Sequence, residues 1–164
     1  MEMETKLAVL YQELAQIIDS MIPCDWSQIY YLGEVEKGRQ SCGSVFYFSS
    51  TDSDNYWRSF EIPKNFGVSE KVFDDLWGEL VDVLLEIYDC FIENDQQPWE
   101  QFCLSLSNTG KFNIEFNYDV MHDNDGGSLR REVGWAYETF GLEPTEGYLK
   151  EVFEEYVANK DKQP

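Results

Sequence analysis

Residues Trp99 to Tyr118 read WEQFCLSLSNTGKFNIEFNY. Phe102, Leu104 and Leu106 alternate with polar or small residues. Phe112, Ile114, Phe116 and Tyr118 alternate with Asn113, Glu115 and Asn117. Side chains of a strand point to opposite faces with a period of two, so each run is apolar on one side only. Ser107-Asn108-Thr109-Gly110 supplies the turn between them. The spacing predicts a hairpin over Trp99 to Leu106 and Lys111 to Tyr118 with one buried face.

Upstream of this hairpin the period changes. From Glu70 to Ile92 the apolar residues Val72, Phe73, Leu76, Trp77, Leu80, Val83, Leu84, Ile87, Tyr88 and Phe91 recur at three and four. That is one wide helical face, with Ser69 placed as N-cap. Asp74, Asp75, Glu79, Asp82, Glu86, Asp89 and Glu93 hold the other face or its borders. No basic residue lies between Lys71 and Lys111, so no i,i+4 charge pairing is expected there.

Before the helix, three runs read as strands. They are Trp26 to Val35, Cys42 to Ser50 and Tyr56 to Ile62, separated by Glu36-Lys37-Gly38-Arg39 and by the polar loop Ser50 to Asn55. Short connections predict an antiparallel meander. An N-terminal helix from Glu4 to Met21 carries Leu7, Leu10, Tyr11, Leu14, Ile17, Ile18 and Met21 on one stripe, and Pro23 ends it. After the polar loop Asp119 to Gly127, a helix from Leu129 to Phe140 ends at Gly141. A final helix to about Ala158 has Thr145 as its cap and Leu149, Val152, Phe153, Tyr156 and Val157 inward. The order predicts one α+β domain over residues 1–164, with an antiparallel sheet of about five strands, a meander plus a hairpin, packed by helices at the N-terminus, centre and C-terminus.

The composition narrows the function. The 164 residues carry 32 acidic and 12 basic side chains, a formal net charge of -20, yet 16% are aromatic. Disordered acidic chains are poor in aromatics, so a packed core is expected. Such a field repels nucleic acid and anionic membranes and attracts basic proteins. Direct nucleic-acid and membrane partners are therefore excluded. Cys24, Cys42, Cys90 and Cys103 form no C-x-x-C pair, and the last three fall within or beside apolar runs. Free core thiols are the simplest reading and fit a reducing cytosol, with two disulfides as the alternative. No basic-then-apolar leader opens the sequence and no run of 18 apolar residues occurs, so a cytoplasmic location is expected.

Catalytic patterns are missing. His122 is the sole histidine. No cysteine is near it, and zinc would need several Cys or His ligands at set spacings. Neither G-x-x-x-x-G-K-[ST] nor G-x-G-x-x-G nor G-x-S-x-G is present. Asp123-Asn124-Asp125-Gly126 with Glu132 invites comparison with a calcium loop, but that alignment puts Met121 at the first ligand position. The reading is a non-enzyme with no catalytic residues, no metal site and no cofactor.

The informative constellation is electrostatic. From Phe66 to Ser128 there are fourteen acidic side chains against two lysines, Lys71 and Lys111. A single-sign face of this kind suits a basic partner such as a nuclease, whose own surface must bind phosphate. Asp74, Asp75, Asp82, Glu86, Glu115, Asp119 and Asp123 are the expected contacts. Trp57 and Trp99 are candidate aromatic anchors, because buried aromatic contacts dominate affinity, and equally candidates for the core. The alternative is an adaptor or chaperone for a basic secreted effector, which binds without inhibiting.

Six segments carry a resemblance: METKLAVLYQELAQIIDSMIP, DWSQIYYLGEVEKG, GSVFYF, EIPKNFGVSEKVFDDLW, QQPWEQFCLSLSNTGKFNIEFNYD and REVGWAYETFG. In order and spacing along nearly the whole chain they resemble the YezG-type immunity protein family. The resemblance implies a cytoplasmic antitoxin that binds the C-terminal domain, commonly a nuclease, of a cognate LXG toxin exported by type VII secretion. It implies no cofactor and no turnover, and it names no inhibitory contact.

Overall fold

The computed structural model describes residues 2–161. It contains one antiparallel sheet of five strands together with helices, the α+β class expected from the sequence. Contacts group the chain into two compact units that divide between Val120 and Met121.

In the first unit, α1 (Met3–Met21) leads to β1 (Trp26–Val35) and β2 (Cys42–Ser50), then to the short β3 (Tyr56–Arg58). A five-residue α2 (Ile62–Phe66) and the long α3 (Glu70–Glu93) follow, and the hairpin of β4 (Gln101–Ser107) and β5 (Phe112–Asn117) completes the sheet. The strand order is β3-β2-β1-β4-β5. Both expected pieces are present, the meander and the hairpin, with β4 joined to the free side of β1.

Helices α1 and α3 pack on one sheet face. That face presents Ile29, Tyr31, Phe46, Phe48, Phe102 and Leu104, all buried. Leu7, Leu10, Leu14, Ile18 and Met21 of α1 and Phe73, Leu80, Leu84, Ile87 and Phe91 of α3 close over them. Each such side chain withdrawn from water contributes about 1.5–3 kcal/mol. Gly33 allows the closest approach: a Cβ there would lie 2.5 Å from Leu84 Cδ1. Leu32, Val45 and Tyr47 on the opposite face are also buried, which explains why β1 and β2 read as continuous rather than alternating apolar runs.

Several expectations need correction. The alternation over Tyr56 to Ile62 does not continue as strand: β3 ends at Arg58, Ser59–Glu61 is a 3-10 turn, and α2 begins at Ile62 with Pro63 in its first turn. The cause is local. Ser59 is fully buried and its Oγ accepts the Phe46 N–H at 3.2 Å, taking the place of a ladder carbonyl, and Pro63 favours a helix start. Cys42 is exposed rather than in the core, whereas Cys90 is buried, and all four cysteines are free thiols.

The second unit holds α4 (Ser128–Phe140) and α5 (Gly147–Asp161). Val133, Val152 and Phe153 form its buried centre. Gly141 ends α4 with φ 71, and its N–H bonds to Tyr137 O at 3.0 Å, as a left-handed C-cap requires. Thr145 does not cap α5. The helix starts at Gly147, two residues after Thr145, and Gly147 itself takes a left-handed φ of 70.

Candidate functional site

The side of α3 opposite its buried stripe carries Asp75, Glu79, Asp82, Glu86, Asp89 and Glu93. Their spacing alternates four and three, so they form one ridge along the helix. Ser69 starts the helix, its Oγ accepting the Val72 N–H at 3.4 Å.

The ridge is compensated at its ends and bare in its middle. Lys71 Nζ lies 2.9 Å from Asp75 Oδ2, an i,i+4 pair that corrects the expectation of none. Arg39, from the turn between β1 and β2, reaches Asp89 at 3.3 Å, and Lys6 of α1 reaches Glu93 at 3.3 Å. The Lys6 ammonium is held above its ordinary range first by its hydrogen bond to Glu93 and then by that residue's charge, with a small contribution from Glu86. Glu79, Asp82 and Glu86 are exposed and make no ion pair among the described residues.

A groove of about 460 Å³ runs beside this bare stretch between α1 and α3, lined by Glu13, Gln16, Ile17 and Ser20 on one wall and Glu79, Asp82 and Val83 on the other. Three carboxylates thus border one concavity. A cationic side chain entering it would meet all three, while each carboxylate stays hydrated in its absence.

The expected contact residues are only partly brought together. Asp75, Asp82 and Glu86 share the ridge, and Asp74 is exposed about a quarter turn away on the same helix. Glu115 is exposed on β5 but projects from the opposite sheet face: its neighbour Phe116 packs on Phe91 of α3, ring centroids 4.9 Å apart. There Glu115 sits across from Cys103, whose thiol is pushed up to about 12, first by burial and then by the charges of Glu115 and Glu34. Asp119 takes a left-handed φ of 54 and is paired with Lys37 Nζ at 2.6 Å.

Asp123 belongs to the second unit, exposed in the loop before α4. Its neighbour Asp125 organises that loop, accepting the His122 N–H at 3.0 Å, the Gly127 N–H at 2.8 Å and Arg131 Nη1 at 2.7 Å. Partial burial raises the Asp125 pKa, but the two backbone bonds and the Arg131 guanidinium outweigh it and hold the carboxyl below its usual range. Asp123-Asn124-Asp125-Gly126 thus forms a hydrogen-bonded turn.

Of the two readings open for the tryptophans, Trp99 takes the core one. Trp99 is fully buried among Tyr88, Phe91, Phe102 and Phe116, with centroids 5.4 to 6.2 Å away. It is a core residue. Trp57 is half-buried, edge-on to Phe66 at 5.2 Å. Sequence reasoning passed over Glu13, because only the packing of α1 on α3 places it opposite Glu79 and Asp82.

No group of three or more His, Cys, Asp or Glu side chains among the described residues could hold a metal ion, and no helix is long and apolar enough to cross a membrane. The comparison with known sequences decides the family. The family model described as immunity protein YezG-like matches residues 7–154. The chain belongs to the YezG-like immunity protein family.

Three relatives show the likeness over nine tenths or more of the chain. "Immunity protein YezG" of Bacillus spizizenii is 33% identical over 157 residues, 95% of this chain and 96% of the relative. "Type VII secretion system protein EsaG" of Staphylococcus aureus is 33% identical over 162 residues, covering 96% and 97%. "Immunity protein YezG" of Bacillus subtilis is 27% identical over 148 residues, covering 90% and 97%. Like the family match, these alignments span both compact units of this YezG-like chain.

Proposed function

We propose that this chain is a cytoplasmic immunity protein that binds and neutralises the C-terminal domain of a cognate secreted LXG toxin. The toxin domain is a basic nuclease, and the whole chain acts as one immunity domain without cofactor or turnover. The observation that carries the reading is the bare centre of the α3 ridge, Glu79, Asp82 and Glu86, in a member of the YezG-like family. At the two ends of the same ridge the acids are paired with Lys71, Arg39 and Lys6, whereas its centre has no such compensation. An uncompensated run attracts a cationic surface and speeds its association.

A nuclease offers such a surface because it must hold phosphates. The acidic ridge occupies or covers that surface, and the substrate is excluded while the complex lasts. The staphylococcal relative, a type VII secretion system protein, supports the export context of the toxin. The test is a nuclease assay of the C-terminal domain of the cognate toxin, titrated with this protein. Loss of activity at a fixed molar ratio with co-elution is the expected result. Co-elution with full nuclease activity would instead make the chain an adaptor.

A further inference from the structure

We propose that β5 is a docking edge that receives an extended, basic segment of the toxin as a sixth strand of the sheet. This deepens the immunity reading and rests on it. β5 stands last in the order β3-β2-β1-β4-β5, so one of its sides has no strand neighbour.

The direction of its backbone groups follows from the hairpin. Ser107 N–H donates to Lys111 O at 2.8 Å, and pairing runs unbroken from Leu106↔Phe112 to Gln101↔Asn117. Hydrogen-bonded and outward residues alternate along an antiparallel strand. Lys111, Asn113, Glu115 and Asn117 therefore turn their N–H and C=O toward β4. Phe112, Ile114 and Phe116 turn theirs to the open side, where no partner among the described residues meets them. That leaves three donors and three acceptors in one row.

Open edges are normally guarded by brevity, charged side chains (lysine above all), proline or a bulge. The other edge is guarded: β3 has three residues and ends where Ser59 turns the chain away. Within Phe112–Asn117 there is no proline and no bulge; Glu115 is its one charged side chain, and Lys111 stands just before it. The strand is also held firmly. Phe116 packs on Phe91, Trp99 and Phe102 at 4.9 to 5.6 Å. On the other face Asn117 Nδ2 donates to Gln101 Oε1 and Gln101 Nε2 to Glu34 Oε2, each at 2.9 Å. A rigid edge loses little entropy on receiving a strand. Phe112, 66% exposed at its start, and Tyr118, 39% exposed just beyond its end, offer apolar contact to the incoming chain.

Charge selects the occupant. A second copy would bring together two chains of net charge -20. In an antiparallel pairing of two β5 strands through their outward residues, both Glu115 carboxylates would lie on the same face of the joined sheet. A toxin strand with Lys or Arg facing Glu115 and apolar residues beside Phe112 and Ile114 satisfies both faces.

The test is amide exchange by NMR on this protein, free and in 1:1 complex with the toxin C-terminal domain. The amides of Phe112, Ile114 and Phe116 should slow by about a hundredfold or more in the complex, with far smaller changes at Asn113, Glu115 and Asn117, already bonded to β4. Phe112→Pro removes one outward N–H from a largely exposed position, and should weaken binding about tenfold beyond Phe112→Ala at an unchanged melting temperature. Tight binding with fast outward amides, or wild-type affinity for Phe112→Pro, overturns the edge assignment and leaves the immunity reading intact. No binding by the wild type overturns both. Slowing of the outward amides in the free protein as its concentration rises would assign the edge to a second copy instead.

Discussion

Trp99 lies against Phe116 with ring centroids 5.6 Å apart, and this contact ties the loop after the acidic helix to the last strand of the sheet. Phe91 touches both rings, so helix α3 and strand β5 share one aromatic cluster. Trp99→Ala would empty the centre of that cluster. A cost of about 3–5 kcal/mol is expected from the lost burial and the cavity left behind. Denaturant melts measure it. A loss below about 1 kcal/mol would show that the indole is not part of the core.

Gly33 makes the second prediction. Its Cα faces Leu84, which is fully buried and has little room to move. Gly33→Ala should cost about 1–3 kcal/mol, because the added methyl must displace a packed leucine. Gly43, on the neighbouring strand with open space around its Cα, serves as the control. Equal melting temperatures for the two alanine variants would refute the close approach of α3 to the sheet.

Much of this fold was legible because period-two and period-3.6 patterns are strong where one face is buried. The hairpin from Trp99 and the helix from Glu70 were read within two residues of their ends. The segment after Arg58 was misread because Phe60 and Ile62 continue the alternation of Tyr56 and Arg58. What ends the strand is a long-range bond, Phe46 N–H to Ser59 Oγ, which no local pattern encodes. The same limit applies to the acidic face. Its charges were plain in the sequence, but Lys6 and Arg39 come from other elements, and their pairing with Glu93 and Asp89 depends on tertiary packing. Glu115 illustrates the converse. It is close to the helix acids in composition and on the wrong side of the sheet in space.

The turn at Asp125 gives a pH prediction. Its folded carboxyl pKa lies below the ordinary value, with burial opposing and the Gly127, His122 and Arg131 bonds prevailing. A depressed carboxyl stabilises the fold above its unfolded pKa, and that contribution is lost as pH falls through the folded one. Acidification should therefore loosen the loop before α4. Asp125→Asn should lower stability at neutral pH and flatten the acid limb of a melting-temperature profile. An unaltered acid limb would remove Asp125 from the explanation.

The ridge itself is tested most directly by titrating the nuclease activity of the cognate toxin's C-terminal domain. Wild type and the Glu79→Lys, Asp82→Lys, Glu86→Lys triple variant are compared, after melts confirm that both are folded. Wild type should abolish activity at a fixed molar ratio. The variant should need at least about tenfold more protein at low salt, and its affinity should depend less on ionic strength. Equal potency of the two proteins at low salt would contradict neutralisation through the acidic face of α3.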